Sequence, residues 1–185
     1  MIKQRSLLRG VMAWGLILCF SAVFSSCNQR STKPTSSDKP ELSGVYYLIR
    51  HAEKDRSNSS NKDPELIQKG LERSQRWAQY FDSIPLSGVY STAYKRTLQT
   101  ALPTATNKAL SPIIYQANAL LDDSFYVNAQ SGHWLIVGHS DTTPYWANAL
   151  LKTDSLSDIP DSINSRLYRI DLRFEWPQFT ISNIE

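Results

Sequence analysis

The sequence predicts an α/β domain, a three-layer sandwich with a mainly parallel sheet, helices on both faces and a C-terminal strand hairpin. Three observations carry that expectation. Between residues 45 and 151, short β-favouring apolar runs alternate with longer stretches of helical period. The first run, Val45-Tyr46-Tyr47-Leu48-Ile49, is apolar at every position, as a strand covered on both faces must be. After residue 166 the pattern changes: Leu167 to Leu172 and Gln178 to Ile184 alternate residue by residue, the period of a hairpin added to the sheet.

The elements follow in order. After the first strand and a polar loop, Asp63-Pro64-Glu65 supplies a cap, a first-turn proline and an early acid, which predicts a helix start. Ile67, Leu71, Ser74, Ala78 and Phe81 then share one face, with Lys69, Glu72, Arg73 and Arg76 elsewhere. Gly88 to Tyr90 reads as a strand, and Ser91 or Thr92 as the cap of a helix to about Ala109, kinked or restarted at Pro103. Pro112 to Tyr115 reads as a strand, residues 118–129 as a helix, Trp134 to Val137 as a strand and Thr143 to Leu151 as a helix. In a sheet wound this way, chemistry gathers at the carboxyl ends of the strands.

The chain has 20 Lys+Arg against 17 Asp+Glu, a formal net charge of +3. Lys3, Arg5 and Arg9 stand in residues 1–26, which contain no acid, so the remainder carries 17 bases and 17 acids. A neutral body argues against nucleic acid, or an anionic surface, held by general electrostatics. With 41% hydrophobic residues it is no disordered tail either. Behind the basic start, the apolar run Val11 to Phe24 has the length of a signal-peptide core and is short for a membrane span. It ends in Phe24-Ser25-Ser26-Cys27, which resembles the lipobox of bacterial lipoproteins, with Phe24 where leucine is usual. That resemblance implies cleavage after residue 26 and a lipid on Cys27; the alternative is an uncleaved anchor. Either way the domain is expected in the cell envelope, periplasmic or on the outer face of the cytoplasmic membrane. Cys19 would leave with the signal, so neither a disulfide framework nor a cysteine metal site is expected. Residues 27–43, rich in Ser, Thr, Pro and Lys, read as a flexible linker, and residues 44–185 as the domain.

Two of the three histidines stand at predicted strand ends, in Arg50-His51-Ala52-Glu53 and Gly138-His139-Ser140. Between them, Ser91-Thr92 leads into Arg96-Thr97 and Gln99-Thr100, with Arg96 in the first turn of a helix. A cation there opposes the helix dipole, so an anionic ligand shared with the helix amides is expected. Together with Lys69-Gly70, these segments resemble the ordered signatures of the histidine phosphatase superfamily, also called phosphoglycerate mutase-like. The resemblance covers most of residues 45–151.

It implies His51 as a nucleophile that takes the phosphoryl group to form a phosphohistidine, which water then hydrolyses. Arg50 and Arg96 would clamp the phosphoryl oxygens, and His139 would donate to them. Ser140 is a further substrate-binding candidate, and Glu53 is an acid beside the site that would orient neighbours or bind substrate. No cofactor and no metal is expected. A general acid between the second and last motifs is usual for alkyl phosphates, and only Asp122 and Asp123 occupy that interval here. Without one, activated phosphates such as a phosphoramidate are favoured, because their leaving groups depend less on a proton. The expected partner is a phosphorylated small molecule or a phosphoprotein. A non-catalytic phosphate-ester-binding lipoprotein of the same fold is the alternative.

Other motifs carry less. His51-Ala52-Glu53 matches half a zinc-deaminase signature, without the paired cysteines. Gly138-His139-Ser140-Asp141-Thr142 begins like a nucleophile elbow but lacks its second glycine. Asp141 stands where relatives often have Asn. His133, at the start of its strand, reads as structural, as do Trp77, Tyr80 and Phe81; Tyr145 and Trp146 either pack or line the pocket. Specificity is expected from the loops Asp55 to Asp63 and Lys152 to Ser165.

Overall fold

The computed structural model describes residues 39–185; the signal, Cys27 and most of the linker lie outside the described residues. Ten elements follow in order: β1 (Val45–Arg50), α1 (Gln68–Tyr80), β2 (Gly88–Ser91), α2 (Lys95–Asn107), β3 (Ile113–Ile114), α3 (Asp123–Asn128), β4 (His133–Gly138), α4 (Thr142–Leu151), β5 (Arg166–Asp171) and β6 (Gln178–Asn183). They build one six-stranded sheet in the order β3-β2-β4-β1-β5-β6. The first four in that order are parallel. β5 joins β1 antiparallel, and β6 closes the hairpin on β5. The α/β class with a mixed sheet and a C-terminal strand pair is therefore as the sequence predicts.

Strand alternation sorts the core into two halves. Tyr46 and Leu48 of β1, with Trp134 and Ile136 of β4, face a cluster completed by Phe125, Trp146 and Leu150 of α3 and α4. Val45, Tyr47 and Ile49, with Leu135 and Val137, face the other cluster, completed by Trp77, Phe81 and Ala101 from the α1 and α2 side. A continuous apolar run is the only composition that satisfies both faces at once. Contacts with the domain begin ahead of Gly44: Leu42 packs against the first cluster, and the Ser43 N–H donates to the Gln130 carbonyl at 2.7 Å.

Several elements depart from expectation. α1 starts at Gln68, because Lys54 and Leu66 form an isolated β-bridge that keeps residues up to Leu66 extended. Asp63 caps a different helix, accepting from the Lys95 N–H at 2.9 Å. The buried face of α1 is also rotated: Ile67 and Leu71 are 42% and 40% exposed, while Arg73 is buried. Arg73 can turn inward because Glu53 meets it there, with its Nε 3.1 and 3.0 Å from the two carboxylate oxygens and its Nη2 2.9 Å from Oε1. α2 begins at Lys95, with no cap from its own preceding side chain, Tyr94, and runs through Pro103 as one helix. The strand expected over Pro112 to Tyr115 is only Ile113–Ile114 at the sheet edge, and the helix expected over 118–129 is one short turn capped by Asp122. No helix among the described residues is long and apolar enough to cross a membrane.

Gly70 fixes how α1 sits. A Cβ at this position would lie 2.2 Å from the Glu53 carbonyl oxygen, the same oxygen that accepts the Ile67 N–H at 3.0 Å. The helix can approach the segment after His51 this closely only without a side chain.

Candidate active site

β1 and β4 run in parallel with Arg50 opposite Gly138, and the His51 N–H donates to the Gly138 carbonyl at 2.9 Å. The residues that follow each strand are the two histidines, so the register alone sets them side by side. Their ring centroids are 5.7 Å apart at an interplanar angle of 66°. Both are buried, His51 at 3% and His139 at 9% exposure.

His51 is fixed from several directions. Its Nδ1 lies 2.8 Å from the Ala52 carbonyl oxygen, which can only accept, so Nδ1 carries the proton and Nε2 keeps its lone pair. The Asn164 side-chain amide donates to the His51 carbonyl at 2.9 Å, and the Ala52 N–H donates to Thr100 Oγ1 at 2.9 Å. Thr100 Oγ1 in turn donates to the Arg96 carbonyl at 2.7 Å, tying α2 to the first motif. Burial, then the charges of Arg50, His139 and Arg96, push the His51 pKa down from 6.5 to about 3, despite the opposing bond to Ala52.

His139 ends a hydroxyl chain. Its Nε2 is 3.0 Å from Thr92 Oγ1, which is 2.8 Å from Thr97 Oγ1, and the Thr97 hydroxyl reaches the Thr92 and Tyr94 carbonyls at 3.0 and 2.8 Å. Carbonyls only accept, so the Thr97 proton goes to them; Thr97 Oγ1 then accepts from the Thr92 hydroxyl, and Thr92 Oγ1 accepts from His139 Nε2–H. Its backbone N–H donates to Thr142 Oγ1 at 3.1 Å, and Asp141 caps the same helix through the Thr142 N–H. Burial and the Arg96 charge lower its pKa to about 4, against an opposing pull from Asp141.

Both predicted arginines are here, and each meets a carboxylate. Arg50, 2% exposed, donates through Nη2 to Asp161 at 2.6 Å and through Nη1 to the Pro160 carbonyl at 3.0 Å. Arg96, in the first turn of α2, lies 4.2 Å over the Tyr94 ring, with Nη1 3.7 Å from Asp63. Tyr94 packs edge-on against His139 at 5.2 Å. The Nε atoms of both arginines are buried without a hydrogen-bond partner among the described residues. Two charged donors without protein acceptors beside a histidine pair suit an anion with several oxygens.

Other predicted residues are placed elsewhere. Asp122 accepts the Phe125 N–H at 2.8 Å as the cap of α3, and it has no hydrogen bond or ion pair with the histidines or the two arginines. Phe125 packs on Tyr46 in the first half of β1, so this cap holds Asp122 on that part of the core. Asp123 is exposed and pairs with Lys39 at 3.4 Å. The Glu53 carboxylate is committed to Arg73, whose fork holds it below the usual carboxylate range although burial acts the other way. The Ser140 carbonyl accepts the Ile159 N–H at 2.8 Å. His133 opens β4 with Nδ1 3.2 Å from the Tyr47 hydroxyl. Sequence reasoning missed Asp63, Asp161, Asn164 and the role of Thr92; only the loops carrying both aspartates were flagged. Among the described residues, no cluster of three His, Cys, Asp or Glu is arranged to hold a metal ion.

The depressed histidines link protonation to folding. The unfolded chain binds these two protons near pH 6.5, whereas the folded domain refuses them until about pH 4 and about pH 3. The unfolded state therefore holds more protons throughout that window, and stability falls as pH drops from 6.5, by up to about 1.4 kcal/mol per pH unit for each histidine. Urea unfolding between pH 7 and 4 should show that slope, reduced in His51→Asn, and NMR should find no His51 titration near 6.5. A His51 midpoint at its ordinary value would contradict the site's electrostatics.

The sequence profile of the histidine phosphatase superfamily (branch 1) matches residues 46–120. No curated protein sequence matches the chain. Among solved structures, the protein histidine phosphatase SixA complexed with tungstate aligns with a TM-score of 0.58 at 15% identity, covering 75% of this chain and 96% of its own. YhfR of Bacillus stearothermophilus aligns at 0.60 and 15% identity, over 77% of this chain and all of its own. A mycobacterial glucosyl-3-phosphoglycerate phosphatase aligns at 0.57 and 12% identity, over 77% and 99%. At these identities the likeness is one of fold. Residues 46–120 thus match the histidine phosphatase superfamily model, and the described domain shares the fold of these solved phosphatases.

Proposed function

We propose that the domain is a metal-independent phosphatase acting on a phosphomonoester or phosphoramidate through a phosphohistidine on His51. One observation carries this: a His51 Nε2 lone pair, fixed by the Nδ1 bond to Ala52, beside His139 and two arginines whose Nε donors have no acceptor among the described residues. Phosphoryl transfer asks the protein for in-line positioning and for positive charge around the equatorial oxygens. His51 Nε2 attacks phosphorus, and the bond to the leaving atom breaks with its electron pair going to that atom. Water then attacks the phosphohistidine, the P–N bond returns its pair to Nε2, and the water proton leaves with phosphate or to solvent. A pKa near 3 keeps the nucleophile neutral before substrate binds.

Arg50 and Arg96 would turn to the phosphoryl oxygens, which take the place of Asp161 and Asp63. His139 would donate a further hydrogen bond, and Ser140 borders it. Asp122, the weak candidate acid, is held as a helix cap. Among the described residues neither imidazole is hydrogen-bonded to a carboxylate, and the nearby Asp161 and Asp63 are paired with the arginines, so activated phosphates are favoured over alkyl esters, because a poor alkoxide leaving group needs a proton. The similarity in fold to the protein histidine phosphatase SixA is in line with a phosphoramidate.

Cys27 is proposed as the lipid-bearing N-terminus, with residues 1–26 removed, residues 27–43 as tether and residues 44–185 as the domain in the cell envelope. The support is the basic start, the apolar run and Ser25-Ser26-Cys27.

An aryl phosphate should be hydrolysed in the presence of EDTA, with a loss of at least about 10³-fold in His51→Ala and no comparable loss in Asp122→Asn. Faster turnover of sugar phosphates than of aryl phosphates or phosphohistidine peptides would refute the substrate class. No turnover on a broad panel, with phosphate-ester binding retained, would establish the non-catalytic alternative. In cell fractionation the native chain should sediment with membranes, and Cys27→Ala should not be lipid-modified; a lipid-free Cys27 in the mature native chain would contradict the anchor.

A further inference from the structure

Beside the histidine pair lies a second concentration of positive charge. A cavity of about 310 Å³ is lined by Lys54, Arg56, Lys69, Glu53, Asp161 and Asn164, among others, a size that takes a small ligand group. Its two acids are both engaged. Glu53 is held by the Arg73 fork, and Asp161 by Arg50 at 2.6 Å. Arg56 shares Asp161 at 3.3 Å, and Lys69 reaches Glu53 only at 3.8 Å. Lys54 has no hydrogen bond or ion pair through its side chain among the described residues. Burial and the charges of Arg96, Arg56 and Arg50 lower its pKa, with Asp161 acting the other way. Its backbone is held by the bridge to Leu66 and by the Asp55 N–H bond to Glu65 at 2.8 Å, which anchors the stem of the side chain at the cavity.

Gathering like charges around a cavity costs free energy unless an anion completes the arrangement. The cavity also adjoins the nucleophile. Asp161 in its wall bonds Arg50, and Asn164 in its wall holds the His51 carbonyl. We propose that Lys54, Arg56 and Lys69 form a second anion subsite, and that the molecule whose phosphoryl group meets His51 carries a further phosphate or carboxylate on its leaving side. The leaving-side assignment rests on the phosphatase reading, while the subsite itself does not. It also bears on the missing acid. Fixed cations beside the departing atom stabilise an anionic leaving group without a proton, which suits an anhydride or another activated phosphate.

The test uses the full-length chain in detergent and two non-hydrolysable probes, methylphosphonate and methylenediphosphonate, titrated by calorimetry with EDTA present. The bisphosphonate should bind at least about tenfold tighter, the worth of one charge-assisted contact. Lys54→Met should remove most of that preference while leaving methylphosphonate affinity unchanged, which also shows that the variant is folded. Lys54→Arg, which keeps the charge, should retain the preference. Equal affinities in the native chain, or a Lys54→Met loss shared alike by both probes, would overturn the subsite. If the preference and its dependence on Lys54 stand while the chain turns over no phosphate, the subsite survives and the phosphatase reading falls.

Discussion

The parallel pairing of β1 with β4 is the constraint from which the site follows. Because Arg50 lies opposite Gly138, the residues that leave the sheet next are His51 and His139, and the His51 N–H is still held by the Gly138 carbonyl. A slip of one residue would turn His51 to the other face and exchange the two halves of the core, since the side-chain period is two. The apolar run of β1 is what forbids that slip. Tyr46 and Leu48 belong to one cluster, and Val45, Tyr47 and Ile49 to the other. Core packing therefore fixes the placement of the histidine pair directly, with no separate scaffold required.

Burial at that edge creates the electrostatics. Two imidazoles enclosed beside two guanidiniums stay neutral, with pKa values driven to about 3 and about 4. The arginines are paired with Asp161 and Asp63, which arrive on loops from distant parts of the chain. Both carboxylates are exposed, Asp161 the more so, and under the proposed reading a phosphoryl group would exchange their oxygens for its own and leave no buried charge without a partner. The same loops carry Lys54 and Arg56 toward the flanking cavity, which joins the phosphoryl site to the proposed second subsite.

The parts legible in the sequence were those that local pattern determines. Strand alternation gave the sheet and the hairpin, strand-end placement gave Arg50, His51 and His139, and the first turn of a helix gave Arg96. What was not legible depended on partners far along the chain. Asp63 looked like the cap of the next helix, yet it caps α2 through the Lys95 N–H. Arg73 looked outward because an arginine alone belongs in water, but Glu53 makes its burial affordable and turns the whole face of α1, exposing Ile67 and Leu71. Asp122 stood in the right interval for an acid, and only the fold shows it capping α3. Asp161 lies 111 residues from Arg50, and no spacing rule connects them.

The central claim is that His51 accepts the phosphoryl group, and rapid-quench trapping of the full-length chain with a labelled aryl phosphate tests it most directly. The account predicts label bound to protein in an acid-labile, base-stable form, mapped to His51 by mass spectrometry and absent from His51→Asn. Turnover of substrate with no label on His51, or with label intact in His51→Asn, would contradict it.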